Sequence, residues 1–493
     1  MKLRWIRIVA IVASILYVGT VAVMGVTWGT DAGATNTAVA EGPEGAGDPD
    51  AGPVIDEGRL RAFEAAQTLG IAGVPGPVKH VPTPGWSTSV PVSTTQDDWE
   101  PAVATDPNAP YVYLLVTRYG GGRACPTCPW VKLVLKVSSD GGQTFGPDQF
   151  LLPAPGGKNQ YDPEIEVSSD GTVFAAFLQG YVPGVTFIKS TDHGATWTEP
   201  VAMPSNWSDK PVLAVAPNGQ DIYIAFNGPT AGDGWIGQSH DGGATWTATN
   251  VMPIDRYTFA GGGYATNDGL VVFAENEFNQ TYTGNVQTFV LVSTDAGATW
   301  RTVVVDVGSK QPDCTSKWCY DGFYGFVPAV TGNGIDDLLV AYARANKRGD
   351  NQRVYVKTSS DQGLHWSQAV RVSAPGAMAG SPAAVGAMAS SAAAVGNGQD
   401  GFWVTYMDKS LGDWNTFARQ STDGGQTWSD PARISDATSG APYLSKKGFV
   451  EVYGDYQEIA ITNTGRTFVT WGASISYYGP GGIWYNYTTA GPS

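Results

Sequence analysis

Histidine is scarce in this chain of 493 residues, with only four copies. Three of them, His193, His240 and His365, fall inside one repeated octet, and His80 precedes the repeats. That leaves no histidine elsewhere for a Ser–His–Asp triad or an imidazole-bound metal. Basic residues are also in short supply, 29 Lys and Arg against 45 Asp and Glu, for a formal charge of −16. A phosphate backbone needs a basic face, so nucleic acid is excluded as a partner. No P-loop or dinucleotide fingerprint occurs, and "GGGY" (261–264) reads as a Gly-rich strand opening. No cofactor is expected.

Cysteine is limited to four residues in two close pairs, Cys125 and Cys128 in "CPTC" and Cys314 and Cys319 in "CTSKWC". One reading is a zinc site built from all four thiolates. The other, favoured by an export signal, is two local disulfides that each staple one loop. No thioredoxin-like βαβ pattern surrounds "CPTC". What the chain has in plenty is Gly (63), Pro (32), Trp (17) and Tyr (22). That mixture suits many short strands joined by turns.

Residues 1–29 place Lys2, Arg4 and Arg7 before an uncharged run from Ile8 to Trp28, about long enough to cross a bilayer. The charge asymmetry predicts an N-in, C-out orientation, as a signal anchor or a cleaved signal peptide with a site near "TAVA". In either case the bulk of the protein is extracytoplasmic, and the membrane is met through this segment only. Residues 30–84 form an acidic Gly/Pro-rich linker, with a short amphipathic helix expected over 56–70.

From residue 85 to 493 a repeat dominates. Octets begin at Ser138 ("SSDGGQTF"), Ser190 ("STDHGATW"), Ser239, Ser293, Ser359 and Ser421. Their aspartates, Asp140, Asp192, Asp241, Asp295, Asp361 and Asp423, recur every 49 to 66 residues, a period that suits propeller blades. Between the octets lie seven strand openings, beginning near 100, 162, 210, 259, 326, 390 and 456. The seventh unit stops where its octet should fall, and "GWSTSVPVS" at the N-terminal end supplies the missing Trp and outer strand. An all-β, seven-bladed β-propeller follows, with its first and last strands sharing one blade. The alternative is a six-bladed propeller of sialidase type. A monomer is expected.

Within the octet the Asp carboxylate accepts backbone N–H bonds, Gly supplies conformational freedom and the Trp fills the gap between sheets. Six copies at six radial positions cannot form one active site, so the octet is scaffold. The octets resemble Asp boxes, also called bacterial neuraminidase repeats, found in sialidases and in many other extracellular propellers. The resemblance spans residues 85–493 and implies that the ligand site lies on the face opposite the octets. A sialidase would hold its substrate carboxylate with three arginines and use a Tyr/Glu pair with an Asp acid. Its first arginine would lie in an Arg-Ile-Pro motif, which this chain lacks.

On the opposite face the expected ligand-binding residues are Arg118, Trp318, Tyr320 and Tyr324, in loops pinned by the two cysteine pairs, and Arg344 in the loop 342–353. Inner-strand openings bring acids and one tyrosine: Asp162, Glu164, Asp455, Tyr456 and Glu458, with Glu164 and Glu458 in the same register of blades 2 and 7. Paired carboxylates of this kind are what glycoside hydrolysis uses. The competing readings are acids tolerated in a water-filled channel, or oxygens for a calcium ion. The function expected is a propeller that binds a glycan or an extracellular protein through aromatic loops, with a glycoside hydrolase as the alternative.

Overall fold

The structure is a computed structural model. It describes residues 80–489 apart from 94, 120–122, 153, 206, 229–232, 253–255, 280–284, 311–327, 334–336, 348–349, 351, 376–378, 388–400, 413–414, 437–456 and 475–480. The expected signal segment, and all of the linker but its last few residues, therefore lie outside the described residues.

Every element among the described residues is a strand, and the strands form seven four-stranded antiparallel sheets. Blades 1 to 6 are consecutive: 97–150, 160–202, 209–252, 256–310, 329–371 and 379–433. Blade 7 combines residues 457–487 with Val90–Pro91, which pairs with Trp484 and Tyr485 as its outermost strand. Innermost strands contact one another in sequence, and the first, Asp97–Thr105, meets the last, Gln457–Ile461. The ring is closed, which removes the open edges a linear array would carry. The six-bladed alternative is not needed.

Trp86 stands where the seventh octet would have placed its tryptophan. It is 7% exposed and meets Trp403 of blade 6 edge-on, with ring centroids 5.7 Å apart. Polar bonds clasp the same N-terminal stretch to blade 6. Asp436 accepts from the Ser89 amide at 2.9 Å and hydroxyl at 2.5 Å, and His80 Nδ1 lies 3.0 Å from it.

All six octets carry one bond pattern. The Ser hydroxyl donates to the Asp two residues on, at 2.7–2.9 Å, and accepts from the Gly amide four residues on, at 2.8–2.9 Å. The same Asp accepts the amide of the seventh residue, as in Thr196 to Asp192 at 2.8 Å. The side chain of that seventh residue, a Thr hydroxyl or His365, also bonds the Asp and, with these donors, holds the Asp192, Asp241, Asp361 and Asp423 carboxyls down to about 2. The fifth residue must be Gly: at Gly243, with φ +85°, a Cβ would fall 2.2 Å from Phe187 of blade 2. Each octet thus locks its blade against the one before it.

One opening differs from its expected place. The innermost strand of blade 6 is Ala379–Ala387, upstream of the stretch beginning at 390. Two similar Ala-rich stretches follow one another here, and only the first carries a proline, Pro382, like the openings at Pro101, Pro163 and Pro211.

Candidate functional site

First-to-second strand turns share the octet end, so the opposite end carries second-to-third strand loops and blade-to-blade links. At that end, innermost strands of blades 1 to 3 repeat one distortion. Glu100, Asp162 and Lys210 adopt φ of 52°, 50° and 48°, each directly before a proline, and strand register slips at each. A left-handed residue before proline is sterically disfavoured, and such bulges gather at functional sites, where they re-aim side chains.

Around these bulges lies a cluster of Trp99, Tyr119, Val131, Tyr161 and Leu178, with Tyr181 packed against it. Tyr181 also stacks on Trp207 from the link between blades 2 and 3, with centroids 5.0 Å apart and planes 7° from parallel. Both rings are half-buried, so aromatic surface remains open to solvent beside exposed Val182. Asn159 ties the cluster together. It accepts from the Val131 amide at 3.3 Å, donates to the Tyr161 hydroxyl at 2.9 Å, and its carbonyl takes the Gly180 amide at 2.9 Å. Beside it the Arg123 guanidinium lies 3.9 Å above the Trp130 ring. The platform is held from several elements at once, the condition for a preformed site.

Arg118 is at this end but already engaged. It is 4% exposed, forks onto Asp98 at 2.6 and 2.9 Å, and also bonds Asp148. Burial, with the Arg118 charge beside it, pulls neighbouring Lys132 down to about 8. Arg344 lies over the Tyr355 ring at 4.6 Å and 3.2 Å from Asp306, on the seam between blades 4 and 5. The two arginines therefore serve separate ion clusters.

Glu164 and Glu458, in matching register, make matching bonds. Glu458 accepts the Val103 amide of blade 1 at 2.6 Å, and Glu164 accepts the Leu213 amide of blade 3. Glu100 does likewise, taking the Asp162 amide at 3.0 Å and the Thr117 hydroxyl at 2.6 Å. These carboxylates stitch innermost strands together around the ring centre. Burial, with the Glu458 and Glu166 charges nearby, holds the Glu164 carboxyl well above the usual range. Burial likewise pushes Glu458 up to about 8 and Glu166 to about 7.

Trp318, Tyr320, Tyr324, Asp455, Tyr456, Cys314 and Cys319 lie outside the described residues. Cys125 and Cys128 are joined by a disulfide, which removes both sulfurs from a four-thiolate zinc set. Among the described residues no cluster of three or more His, Cys, Asp or Glu is arranged to hold a metal ion. Sequence reasoning passed over Tyr161, Tyr181 and Trp207. Tyr161 was signalled by an aromatic beside an opening proline ("YDP") and Trp207 by an aromatic in a blade-to-blade link ("SNWSD"); Tyr181 lies in a second-to-third strand loop.

No family model matches the chain, and no curated protein matches it. Among solved structures it is similar to the Hadza microbial sialidase Hz136, at 17% identity and a TM-score of 0.43, over 80% of this chain and 65% of that one. It is also similar to Trypanosoma rangeli sialidase, at 14% identity and a TM-score of 0.41, over 84% of this chain and 59% of that one. A third is YCF48 bound to D1 peptide, at 14% identity and a TM-score of 0.46, over 84% and 97%. The chain spans less than two thirds of these two sialidases. The likeness concerns the fold alone.

Proposed function

We propose that this chain is an extracytoplasmic propeller, tethered by its N-terminal segment or released, that binds a glycan through the loop face of blades 1 to 3. The observation that carries the reading is the parallel Tyr181–Trp207 pair, continuous with Tyr161, Tyr119 and Trp99. Flat aromatic surface with hydrogen-bonding groups at its margin suits a sugar ring, which has an apolar face and a polar rim. The six octets, read as Asp boxes, are the frame that presents this face. Retention on immobilised polysaccharides and a glycan array, comparing wild type with Trp207→Ala, is the test. Specific retention that Trp207→Ala abolishes supports the reading. Absence of any glycan binding, together with tight binding of a purified extracellular protein at the same face, would replace it with the protein-partner reading.

Hydrolysis is the second reading, favoured by two carboxyls raised by burial: Glu164 well above its usual range, and Glu458 to about 8, where a general acid keeps its proton at neutrality. It predicts turnover of an aryl glycoside, sialosides included, that Glu164→Gln or Glu458→Gln abolishes. Gln keeps the amide-accepting oxygen, so loss of turnover with an intact fold separates catalysis from stitching.

A further inference from the structure

The Cys125–Cys128 disulfide closes a loop on the same face, and a structural staple accounts for it poorly. Only Pro126 and Thr127 lie between its ends. The stabilisation a disulfide gives through the unfolded chain grows with the loop it closes, so this pair is among the least effective. The loop is also shaped without it. The Cys128 amide donates to the Cys125 carbonyl at 3.1 Å, Arg123 Nη1 to the Pro126 carbonyl at 3.1 Å, and the Gly156 amide to the Thr127 carbonyl at 2.8 Å. A loop held this way can accommodate the bonded and the reduced pair alike.

The two sulfurs differ in access. Cys128 is 4% exposed, whereas Cys125 is half-buried between exposed Ala124 and exposed Pro126. The Thr127 hydroxyl lies 3.8 Å from Cys125 Sγ, and Arg123 folds its positive charge back over the loop. An accessible sulfur beside a hydroxyl, in a loop whose Pro126 carbonyl is bonded by a guanidinium, is a setting that favours a thiolate.

We propose that Cys125 and Cys128 form a reversible thiol–disulfide exchange site on the loop face, with Cys125 as the sulfur that partners attack. The co-reactant is a dithiol. One of its thiolates attacks Cys125 Sγ, the Cys125–Cys128 bond breaks, and Cys128 leaves as a thiolate that takes up a proton. The second donor thiolate then attacks the donor sulfur of the mixed disulfide and releases Cys125 as a thiolate, which is protonated. The dithiol ends as a disulfide, and the loop has gained two electrons and two protons. The intermediate places a covalent adduct beside the Arg123–Trp130 pair, on the face proposed for binding.

The test uses the whole chain, dithiothreitol as the dithiol, and differential alkylation with peptide mapping, so that Cys314 and Cys319 are scored separately. Reduction of the Cys125–Cys128 pair in native buffer, with Tm changed by less than about 2 °C, is expected. With Cys128→Ser the remaining Cys125 should react with an aromatic disulfide at least about tenfold faster than Cys128 does in Cys125→Ser, following its access. Reduction that requires denaturant, a Tm loss of about 10 °C or more on reduction, or equal rates for the two single-cysteine variants would overturn the proposal. None of these readouts depends on glycan binding.

Discussion

The two ends of the ring are built on opposite plans. At the octet end, six turns use the same bonds from the same octet positions, at distances that agree within about 0.2 Å. At the loop end the described loops differ from blade to blade. Blade 1 offers a disulfide loop with an Arg–Trp pair, blade 2 an aromatic stack with its link, and blade 5 an arginine bound to the preceding blade. A scaffold needs the same solution at every seam, because each seam is the same packing problem. A recognition face needs differences, because a ligand meets it only once.

Ring closure should produce the largest response. Trp86→Ala removes a buried ring at the blade 6 seam and should cost about 3–5 kcal/mol, seen as a fall in urea midpoint. A smaller loss, well under 2 kcal/mol, would mean that the N-terminal strand does not close the ring. An octet change comes next. Gly243→Ala forces a Cβ against Phe187 at a positive φ and should cost about 1–3 kcal/mol, while leaving affinity at the loop face unchanged.

A pH series then probes the stitching by Glu458. It is raised by burial to about 8, so the folded state keeps a proton that the unfolded chain releases. Its contribution is complete below the unfolded value near 4.5 and is lost as pH climbs through 8. Tm should decline over that window, and Glu458→Gln should lessen the decline while retaining an acceptor for the Val103 amide. An unchanged pH slope in Glu458→Gln would show that its charge is not the cause. The smallest stability effect belongs to the recognition face. Trp207→Ala should stay within about 1 kcal/mol of wild type yet weaken glycan binding by about tenfold or more, the reverse of the Gly243→Ala pattern.

Much of the ring was legible because its signals are local and repeated. The Ser, Asp, Gly and seventh residue of each octet (Thr in five, His365 in one) bond within eight residues, so their spacing alone reveals the turn. Even the shared blade could be read, since Trp86 and the strand after it match the tail of a blade that the C-terminal end leaves incomplete. The blade 6 opening was misplaced because composition cannot choose between two Ala-rich stretches, whereas the proline of the bulge can.

The site was less legible, for a related reason. Asn159 gathers Val131, Tyr161 and Gly180, and Tyr181 meets Trp207 across a blade boundary, contacts that no single stretch encodes. Arg118 read as available for a ligand because its partner Asp148 lies 30 residues on, beyond the next strand. Glu164 and Glu458 were rightly matched in register, but register does not show that the amides of neighbouring blades lie against them.

Sequence alone determined the blade and pointed to seven of them and to how the ring shuts, since each rests on short-range bonding repeated around a closed circle. Only the tertiary structure decided which aromatics share a surface, which arginines are already paired and which cysteine is buried. Those properties depend on side chains brought together from different blades, and burial and charge act through distance in space rather than along the chain.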